Sequence, residues 1–119
     1  MSYYKYYIDE EQGMYKFGLF PNNNNNQAIG ESGLYNSKGD ATDALRIFQM
    51  LIKESSNPCG LFDTTKGKDE RKCTKYSFNL KENKYNLIFY RPICYYQKHS
   101  RDMAIQRIIQ NIDSPLKQR

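Results

Sequence analysis

The sequence predicts an α+β fold in which two tandem strand–strand(–strand)–helix repeats form a mainly antiparallel sheet with two helices on one face. The chain has 119 residues, which is the length of one domain. Aromatic residues make up 14% of it and alternate with polar residues in short segments, as in strands with one buried face. Each group of these strand-like segments is followed by a stretch with apolar residues at helical spacing, so the order of strands and then a helix occurs twice. We therefore expect a single domain, residues 1–119, built from two similar halves.

The similarity between the halves has a constant offset of 61 residues. Residues 15–19 resemble residues 76–80, and the same offset relates Tyr35 to Tyr96. It also matches apolar positions of the two predicted helices, namely Ala44, Ile47, Phe48 and Leu51 with Ile105, Ile108, Ile109 and Ile112. These matches predict an internal duplication, with copy one at 2–57, copy two at 58–114 and a basic tail at 115–119.

Copy one is predicted to contain a hairpin, a return strand and a helix. The predicted strands cover residues 3–9, 15–19 and 27–34, and Pro21 with the Asn run at 22–26 forms the loop before the return strand. Ser37 is the predicted helix N-cap, with Asp40 at the capping-box position, and the helix runs to about Glu54. Its apolar face is a stripe at helical spacing made of Ala41, Ala44, Leu45, Phe48, Leu51 and Ile52.

Copy two is predicted to repeat this order less regularly. Its segments are a short strand at 61–63, a polar and basic loop at 64–74, and hairpin strands at 75–81 and 85–96 that turn at 82–84. Pro92 falls inside the second hairpin strand and predicts a bulge or a sheet edge, since proline cannot donate a ladder hydrogen bond. Ser100 is the predicted cap of the second helix, whose buried face consists of Ile105, Ile108, Ile109 and Ile112.

Residue usage argues against an exported, membrane-spanning or metal-binding protein. The sequence has no run of about 18 apolar residues and no signal-peptide pattern at its N-terminus, so we expect a cytoplasmic protein. The three cysteines, Cys59, Cys73 and Cys94, are an odd set without a CxxC pair and are expected to be free thiols. His99 is the only histidine and no zinc-ligand spacing occurs, so no metal and no cofactor are expected.

No constellation of residues in the sequence indicates an enzyme. Cys94 and His99 lie five residues apart across a strand–helix junction, without a third group to orient them. The acidic residues at 9–11 lie at a predicted turn, which lacks the burial that paired catalytic carboxylates require. The segment 30–33 is too short to hold a phosphate and opens no helix at the right offset. We therefore expect a protein without catalytic activity.

The net charge of +5 is unevenly divided between the halves. Residues 1–57 carry five basic and seven acidic side chains, net −2, whereas residues 58–119 carry thirteen basic and six acidic ones, net +7. Tyrosines are interleaved with the basic residues of copy two, a layout that fits an acidic protein partner and also single-stranded nucleic acid. The candidate partner-binding residues are Arg71, Lys72, Tyr85, Arg91 and Tyr95.

The segment 27–41, which joins the predicted return strand to the first helix, resembles the hairpin-to-helix segment of the YegP-like proteins. The matching positions are Ile29, Ser32, Tyr35, Ser37 and Lys38, and the aromatic alternation at 15–19 precedes them. These small bacterial proteins have two tandem strand–strand–strand–helix repeats, so the resemblance implies that fold and no particular chemistry. Gly33 stands where the family usually has an acidic residue, and copy two retains Tyr96 without the Ser-Lys pair.

From these observations we expect a small non-enzymatic protein-binding module of bacterial or phage origin, such as an inhibitor, an immunity-type protein or an accessory protein. The alternative is a nucleic-acid-binding protein that uses the basic, tyrosine-rich copy two. A homodimer stays open, and no membrane partner is expected.

Overall fold

Within residues 3–83 and 86–119, which the computed structural model describes, six strands form one antiparallel sheet and two helices lie on one of its faces. The strands are β1 (Tyr4–Glu11), β2 (Met14–Pro21), β3 (Gly30–Glu31), β4 (Asp63–Lys68), β5 (Thr74–Asn83) and β6 (Asn86–Tyr90). The helices are α1 (Lys38–Glu54) and α2 (Lys98–Gln110), and a short 3₁₀ helix covers Pro58–Leu61. The strand order is β1-β2-β3-β6-β5-β4, so β3 and β6 meet at the centre and β1 and β4 are the outer strands.

The hydrophobic core lies between the sheet and the two helices. Phe48 of α1 stacks on Phe89 of β6 with 4.5 Å between ring centroids, and its ring lies 5.7 Å from that of Phe17 in β2. The three rings are fully buried and share one cluster with Leu45 of α1 and Ile108 of α2. Each large apolar side chain buried in this way contributes about 1.5–3 kcal/mol. Because both helices contribute to one cluster, the predicted α+β fold with two helices on one face is confirmed.

The first hairpin and α1 agree with the sequence prediction. Gln12 and Gly13 join β1 to β2 with positive φ angles of 53° and 80°, as in a two-residue type I′ turn. Ser37 is the N-cap of α1, because its Oγ accepts a hydrogen bond from the Asp40 N–H at 3.0 Å. The buried residues of α1 all lie on the predicted stripe: Ala41, Leu45, Phe48 and Ile52. The return strand is shorter than predicted, since β3 consists of Gly30–Glu31 alone.

The first strand of the second half is misplaced in the sequence prediction. The predicted strand at 61–63 and loop at 64–74 are wrong, because β4 covers Asp63–Lys68 and the loop is residues 69–73. Every residue of β4 pairs with β5, and its two threonines suit a strand. The outer position of β4 explains its polar composition, because only one side of it contacts the rest of the sheet.

In the second hairpin, β5 is longer than predicted and β6 is shorter. Its last strand, β6, ends at Tyr90, so the predicted extension to 96 is wrong and Pro92 lies beyond the strand. Because Pro92 lies outside the strand, its lack of an N–H costs the sheet no hydrogen bond. The irregular pairing predicted at Pro92 occurs instead between β5 and β6, on both sides of Lys81.

The second helix begins earlier than the sequence indicates. Its first residue is Lys98, so the predicted cap at Ser100 is wrong and Gln97 holds the N-cap position. The Gln97 side chain makes no capping hydrogen bond. The chain therefore enters α2 without the side-chain capping hydrogen bond that marks the start of α1.

The offset between the halves changes along the chain. Tyr15 exchanges backbone hydrogen bonds with Tyr35, and in the second half Tyr76 exchanges them with Tyr95, not with Tyr96. The offset is therefore 61 residues in the hairpin strands but 60 at this pairing. A single offset of 61 is wrong, because the segments between the strands and the helices differ in length.

The helices follow the shorter offset as well. Phe48 and Ile108, 60 residues apart, are both fully buried, whereas Ile47, which the longer offset matches to Ile108, is 62% exposed. Ile109 is only partly buried against the core. The predicted equivalence of Phe48 and Ile109 is therefore wrong by one position.

The C-terminal segment, residues 115–119, lies along the outer edge of β1. The Tyr6 N–H donates to the Pro115 carbonyl at 2.8 Å, and the Lys117 N–H donates to the Tyr6 carbonyl at 2.9 Å. The Arg119 guanidinium binds the Asp9 carboxylate at 2.6 Å and stacks on Tyr7 at 4.3 Å from its ring centre. The chain thus covers one of the two sheet edges with its own terminus.

Candidate functional site

The β4–β5 hairpin ends in a tightly bonded loop at residues 69–73. The Asp69 Oδ1 accepts hydrogen bonds from the backbone N–H groups of Arg71 and Cys73, both at 2.9 Å. The Lys72 N–H donates to the Asp69 carbonyl at 3.0 Å, and Lys72 has a positive φ of 64°. The bond from Cys73, followed by that from Arg71, lowers the pKa of Asp69. The loop therefore has one defined conformation, which leaves Arg71 and Lys72 exposed.

Arg71 and Tyr96 border a shallow depression beside this loop. The Arg71 side chain is 77% exposed and lies 3.7 Å from the Asp69 carboxylate. A hydrogen bond to Asp69 raises the pKa of the Tyr96 phenol, and Tyr96 is 53% exposed. The depression has a volume of about 470 Å³, and Lys68 and Lys75 also line it. Asp69 and Glu70 line it as well, so the depression offers a partner three basic groups, two acidic groups and one aromatic ring.

Arg91 and Tyr95 form a separate contact pair. The Arg91 guanidinium carbon lies 4.4 Å from the centre of the Tyr95 ring. The Arg91 Nε donates to the Ile93 carbonyl at 2.9 Å, and its Nη1 donates to the Ala28 carbonyl at 3.4 Å. Both side chains are half-buried, and burial raises the pKa of Tyr95. These contacts hold the segment between β6 and α2 against the segment before β3.

The candidate residues from the sequence fall into two contact groups. Arg71 and Lys72 belong to the hairpin loop, Arg91 stacks on Tyr95, and Tyr85 lies outside the described residues. Adjacent residues of an extended segment point to opposite sides. For this reason Tyr96, and not Tyr95, is the tyrosine beside Arg71. A Tyr-Tyr pair carries no sequence signal for which ring faces outward, so this residue was not predicted.

The sequence prediction places Lys66 and Lys68 in a basic loop that flanks the candidate surface, whereas the structure places them on a strand. Both are exposed on β4, and the Lys68 Nζ donates to the Thr74 Oγ1 of β5 at 2.7 Å. Because residues 64–74 were predicted to be a loop, the sequence did not indicate which face of the sheet these two side chains lie on. The neighbouring threonines, which favour strands, are the signal that could have placed them on a strand.

A wider groove lies between α1 and the β5–β6 hairpin. Its volume is about 640 Å³ and its lining is mainly apolar, including Ile47, Leu51, Leu61 and Ile88. Tyr35 supplies the only hydroxyl group of the lining, which contains no histidine or cysteine. Asp40, Asp43 and Lys81 also line the groove, so an apolar floor has charged groups beside it.

A polar network crosses the centre of the sheet on the face opposite the helices. The Lys16 Nζ lies 3.2 Å from Glu31 and 3.5 Å from Glu11, and the Tyr90 Oη donates to Glu31 at 3.5 Å. Burial opposes the charge of Lys16, but the carboxylates outweigh it and raise the pKa of the lysine. Burial, with Glu31 next, raises the pKa of Tyr90. Because β3 and β6 come from different halves, the network joins the halves, which is a structural role.

Residues 3–83 and 86–119 contain no group of three or more His, Cys, Asp or Glu side chains that could hold a metal ion. In that part of the chain no helix is both long and apolar enough to cross a bilayer. The three cysteines are free, with Cys59 and Cys73 exposed.

Two solved structures share the architecture of this chain. One is the solution structure of the protein of unknown function yegP from E. coli, with a TM-score of 0.74 and 19% identity over 99% of this chain and 94% of that one. The other is the UPF0339 protein SO3888 from Shewanella oneidensis, with a TM-score of 0.69 and 21% identity over 98% of this chain and 91% of that one. No protein-family model matches the sequence, and neither does any curated protein. The structural similarity over nearly the whole length shows that the chain has the YegP fold.

Proposed function

We propose that the chain is a small non-enzymatic protein-binding module whose β4–β5 hairpin binds an acidic surface of its partner. The observation that carries this proposal is the unbalanced charge of the hairpin. The ion-pair partner of Arg71 is Asp69, whose carboxylate already accepts two backbone hydrogen bonds in its own loop. No ion-pair partner among the described residues serves the hairpin lysines Lys66, Lys68, Lys72 and Lys75. Such a patch attracts acidic partners over a distance and orients them.

The bonded conformation of the loop also supports protein binding. Its backbone and Asp69 hydrogen bonds already fix residues 69–73 in the free chain. A fixed loop loses little conformational entropy when a partner binds, so more of the contact energy appears as affinity. An exposed arginine on such a loop is a frequent interface anchor. Arg71 is therefore the residue we expect to dominate the contact.

Nucleic-acid binding remains the second candidate, and Tyr96 is the observation that favours it. An exposed ring beside basic side chains can stack on a base. However, single-strand binders use several such rings, and here Tyr76, Tyr90 and Tyr95 are half-buried. One face of Tyr95 is also occupied by Arg91. One exposed ring beside the basic loop is weak support compared with the hairpin charge, so protein binding is the preferred function.

We also infer that the chain belongs to the YegP-like family and arose by internal duplication. The shared fold and the mirrored strand order support this inference. So do the equivalent backbone pairings of Tyr15 with Tyr35 and of Tyr76 with Tyr95. The free cysteines fit a reducing compartment such as the cytoplasm, where we expect the chain to act as an inhibitor, immunity-type or accessory protein.

A photo-crosslinking residue in place of Glu70, which is exposed beside Arg71, tests the proposed function and leaves Arg71 intact. The same residue in place of Asp43, which is exposed on α1, is the matched control. In cells that naturally express the chain, we expect protein adducts from position 70 and few from position 43. RNA or DNA adducts at position 70 would favour the second candidate, and protein adducts confined to position 43 would contradict the proposal.

Charge reversal of the purified chain then checks the surface against the partner so identified. Arg71→Glu combined with Lys72→Glu should weaken binding by about tenfold or more in calorimetry. Lys38→Glu combined with Arg46→Glu makes the same change in net charge on exposed residues of the first half and should leave affinity nearly unchanged.

A further inference from the structure

The outer edge of β4 presents backbone groups that point away from the sheet. At the end of the β4–β5 ladder the Asp69 N–H donates to the Cys73 carbonyl at 3.0 Å. In an antiparallel pair, hydrogen-bonded residues alternate with residues whose N–H and C=O point outward. The N–H of Tyr76 donates to Tyr95 on the far side of β5, which fits this alternation. The backbone groups that point outward are therefore those of Thr64, Lys66 and Lys68.

The opposite edge of the sheet shows what such groups bind in this fold. On β1, the outward N–H and C=O of Tyr6 bind the C-terminal segment at Pro115 and Lys117. No described residue bonds the outward N–H groups of Thr64, Lys66 or Lys68 in the same way. Five of the six residues of β4 are exposed. One edge is thus covered by an extended segment of this chain, and the other is accessible.

The side chains along the accessible edge determine which strand it accepts. Two of the three residues that carry outward backbone groups are lysines, Lys66 and Lys68, and Arg71 and Lys72 follow in the adjoining loop. In neighbouring strands, directly opposed charges of opposite sign stabilise the pairing and like charges destabilise it. We infer that the β4 edge binds an extended acidic segment of a partner protein as an added strand. This inference rests on the proposed function, because the same basic hairpin supplies the charge.

Lysines on an outer strand also have a second role, which is to prevent aggregation, and the test must distinguish this role from partner binding. Lysine on an outer strand prevents two copies of a protein from pairing edge to edge. Repulsion between copies and attraction of an acidic strand are compatible, since specificity commonly combines both. A purely protective role predicts that the edge binds no strand of either charge.

Peptide binding to the whole chain tests the inference. The probe is an alternating Glu-Val peptide of the length of β4, and the controls are a Lys-Val peptide and a Glu-Val peptide methylated on every backbone nitrogen, so that neither of its edges can donate a ladder hydrogen bond. The methylated peptide keeps its charge but cannot pair as a strand. We expect the Glu-Val peptide to protect the amides of Thr64, Lys66 and Lys68 from hydrogen exchange. The methylated peptide should bind about tenfold more weakly, because it loses backbone hydrogen bonds.

Two variants of β4 separate backbone pairing from charge. Thr64→Pro removes an outward N–H without changing the charge of the edge, and it should lower Glu-Val affinity about tenfold with an unchanged melting temperature, since that N–H is outside the ladder. Lys66→Glu keeps the N–H and should shift preference towards the Lys-Val peptide. Equal binding of the methylated peptide without amide protection would overturn strand addition and leave acidic-protein binding in place. Failure of both acidic peptides would overturn strand addition as well, and the crosslinking at position 70 would then decide the proposed function separately.

Discussion

The Tyr6 phenol connects the sheet to the end of α2 through one buried hydrogen bond. Its Oη donates to the Ile112 carbonyl at 2.8 Å, and the Gln49 Nε2 donates to the same carbonyl at 3.0 Å. The tyrosine is fully buried. Burial, followed by the charge of Asp113, raises the pKa of Tyr6 above its ordinary value. The neutral phenol is therefore part of the folded structure.

Tyr6→Phe should destabilise the chain by about 1 kcal/mol at neutral pH. The ring stays in place and the Ile112 carbonyl keeps the Gln49 hydrogen bond, so the loss is that of one hydrogen bond. Because tyrosine in the unfolded chain ionises at about pH 10, while folded Tyr6 keeps its proton, wild-type stability falls as pH rises above that value. Urea unfolding at neutral and alkaline pH should show a smaller alkaline loss for the variant. An equal alkaline loss in both proteins would contradict this account of Tyr6.

At the residue scale, sequence reasoning succeeded where position along a strand determines burial. The alternation of Phe17 and Leu19 predicted the buried face of β2, and both are fully buried. The sequence did not predict which of two identical neighbours is exposed, as for Tyr95 and Tyr96, because a shift of one residue reverses which ring is exposed.

The two helix starts differ in how they are stabilised, and this gives a prediction at the scale of elements. Ser37 caps α1 through the Asp40 N–H, whereas the Gln97 side chain does not cap α2. Ser37→Ala should cost about 1 kcal/mol, and Gln97→Asp should gain about 0.5–1 kcal/mol by supplying the missing acceptor. Chemical denaturation measures both changes. Ser100→Ala is the control, because Ser100 lies inside the first turn of α2. A larger loss for Ser100→Ala than for Ser37→Ala would show that the sequence-predicted start of α2 was right.

The buried face of α2 can be tested with two adjacent isoleucines. Ile108 is fully buried and Ile109 only partly buried. Ile108→Ala should cost about 2–5 kcal/mol because it empties a packed site, and Ile109→Ala should cost clearly less. Phe48→Ala in α1 should cost about 3–5 kcal/mol for the same reason. If urea unfolding shows that Ile109→Ala destabilises the chain more than Ile108→Ala does, the single offset of 61 residues between the halves would be right.

Elements with strong local signals were predictable and those held by long-range pairing were not. The α1 helix has a cap and a regular apolar stripe, so its start and face follow from the sequence. By contrast, β4 is polar and becomes a strand because β5 pairs with each of its residues. Only the folded chain supplies that partner, which is why the candidate edge was hidden in a predicted loop.

At the scale of the whole molecule, the fold class and the division of charge were readable from the sequence. The net charges of −2 and +7 for the two halves predicted a basic second half, and the hairpin carries exposed members of that set. The sequence could not show that the C-terminal segment covers one sheet edge, because that contact joins residues more than 100 positions apart. Nor could it show that β4 is left as the accessible edge.

Hydrogen exchange of the whole chain, with and without the partner identified by crosslinking, tests the central claim most directly. Amide exchange reports binding surfaces through local protection. The account predicts that protection is concentrated in β4 and the loop at 69–73, with little change in α1 or near Asp9. Protection confined to the α1 groove or to the acidic end of β1, with β4 exchanging as in the free chain, would contradict it.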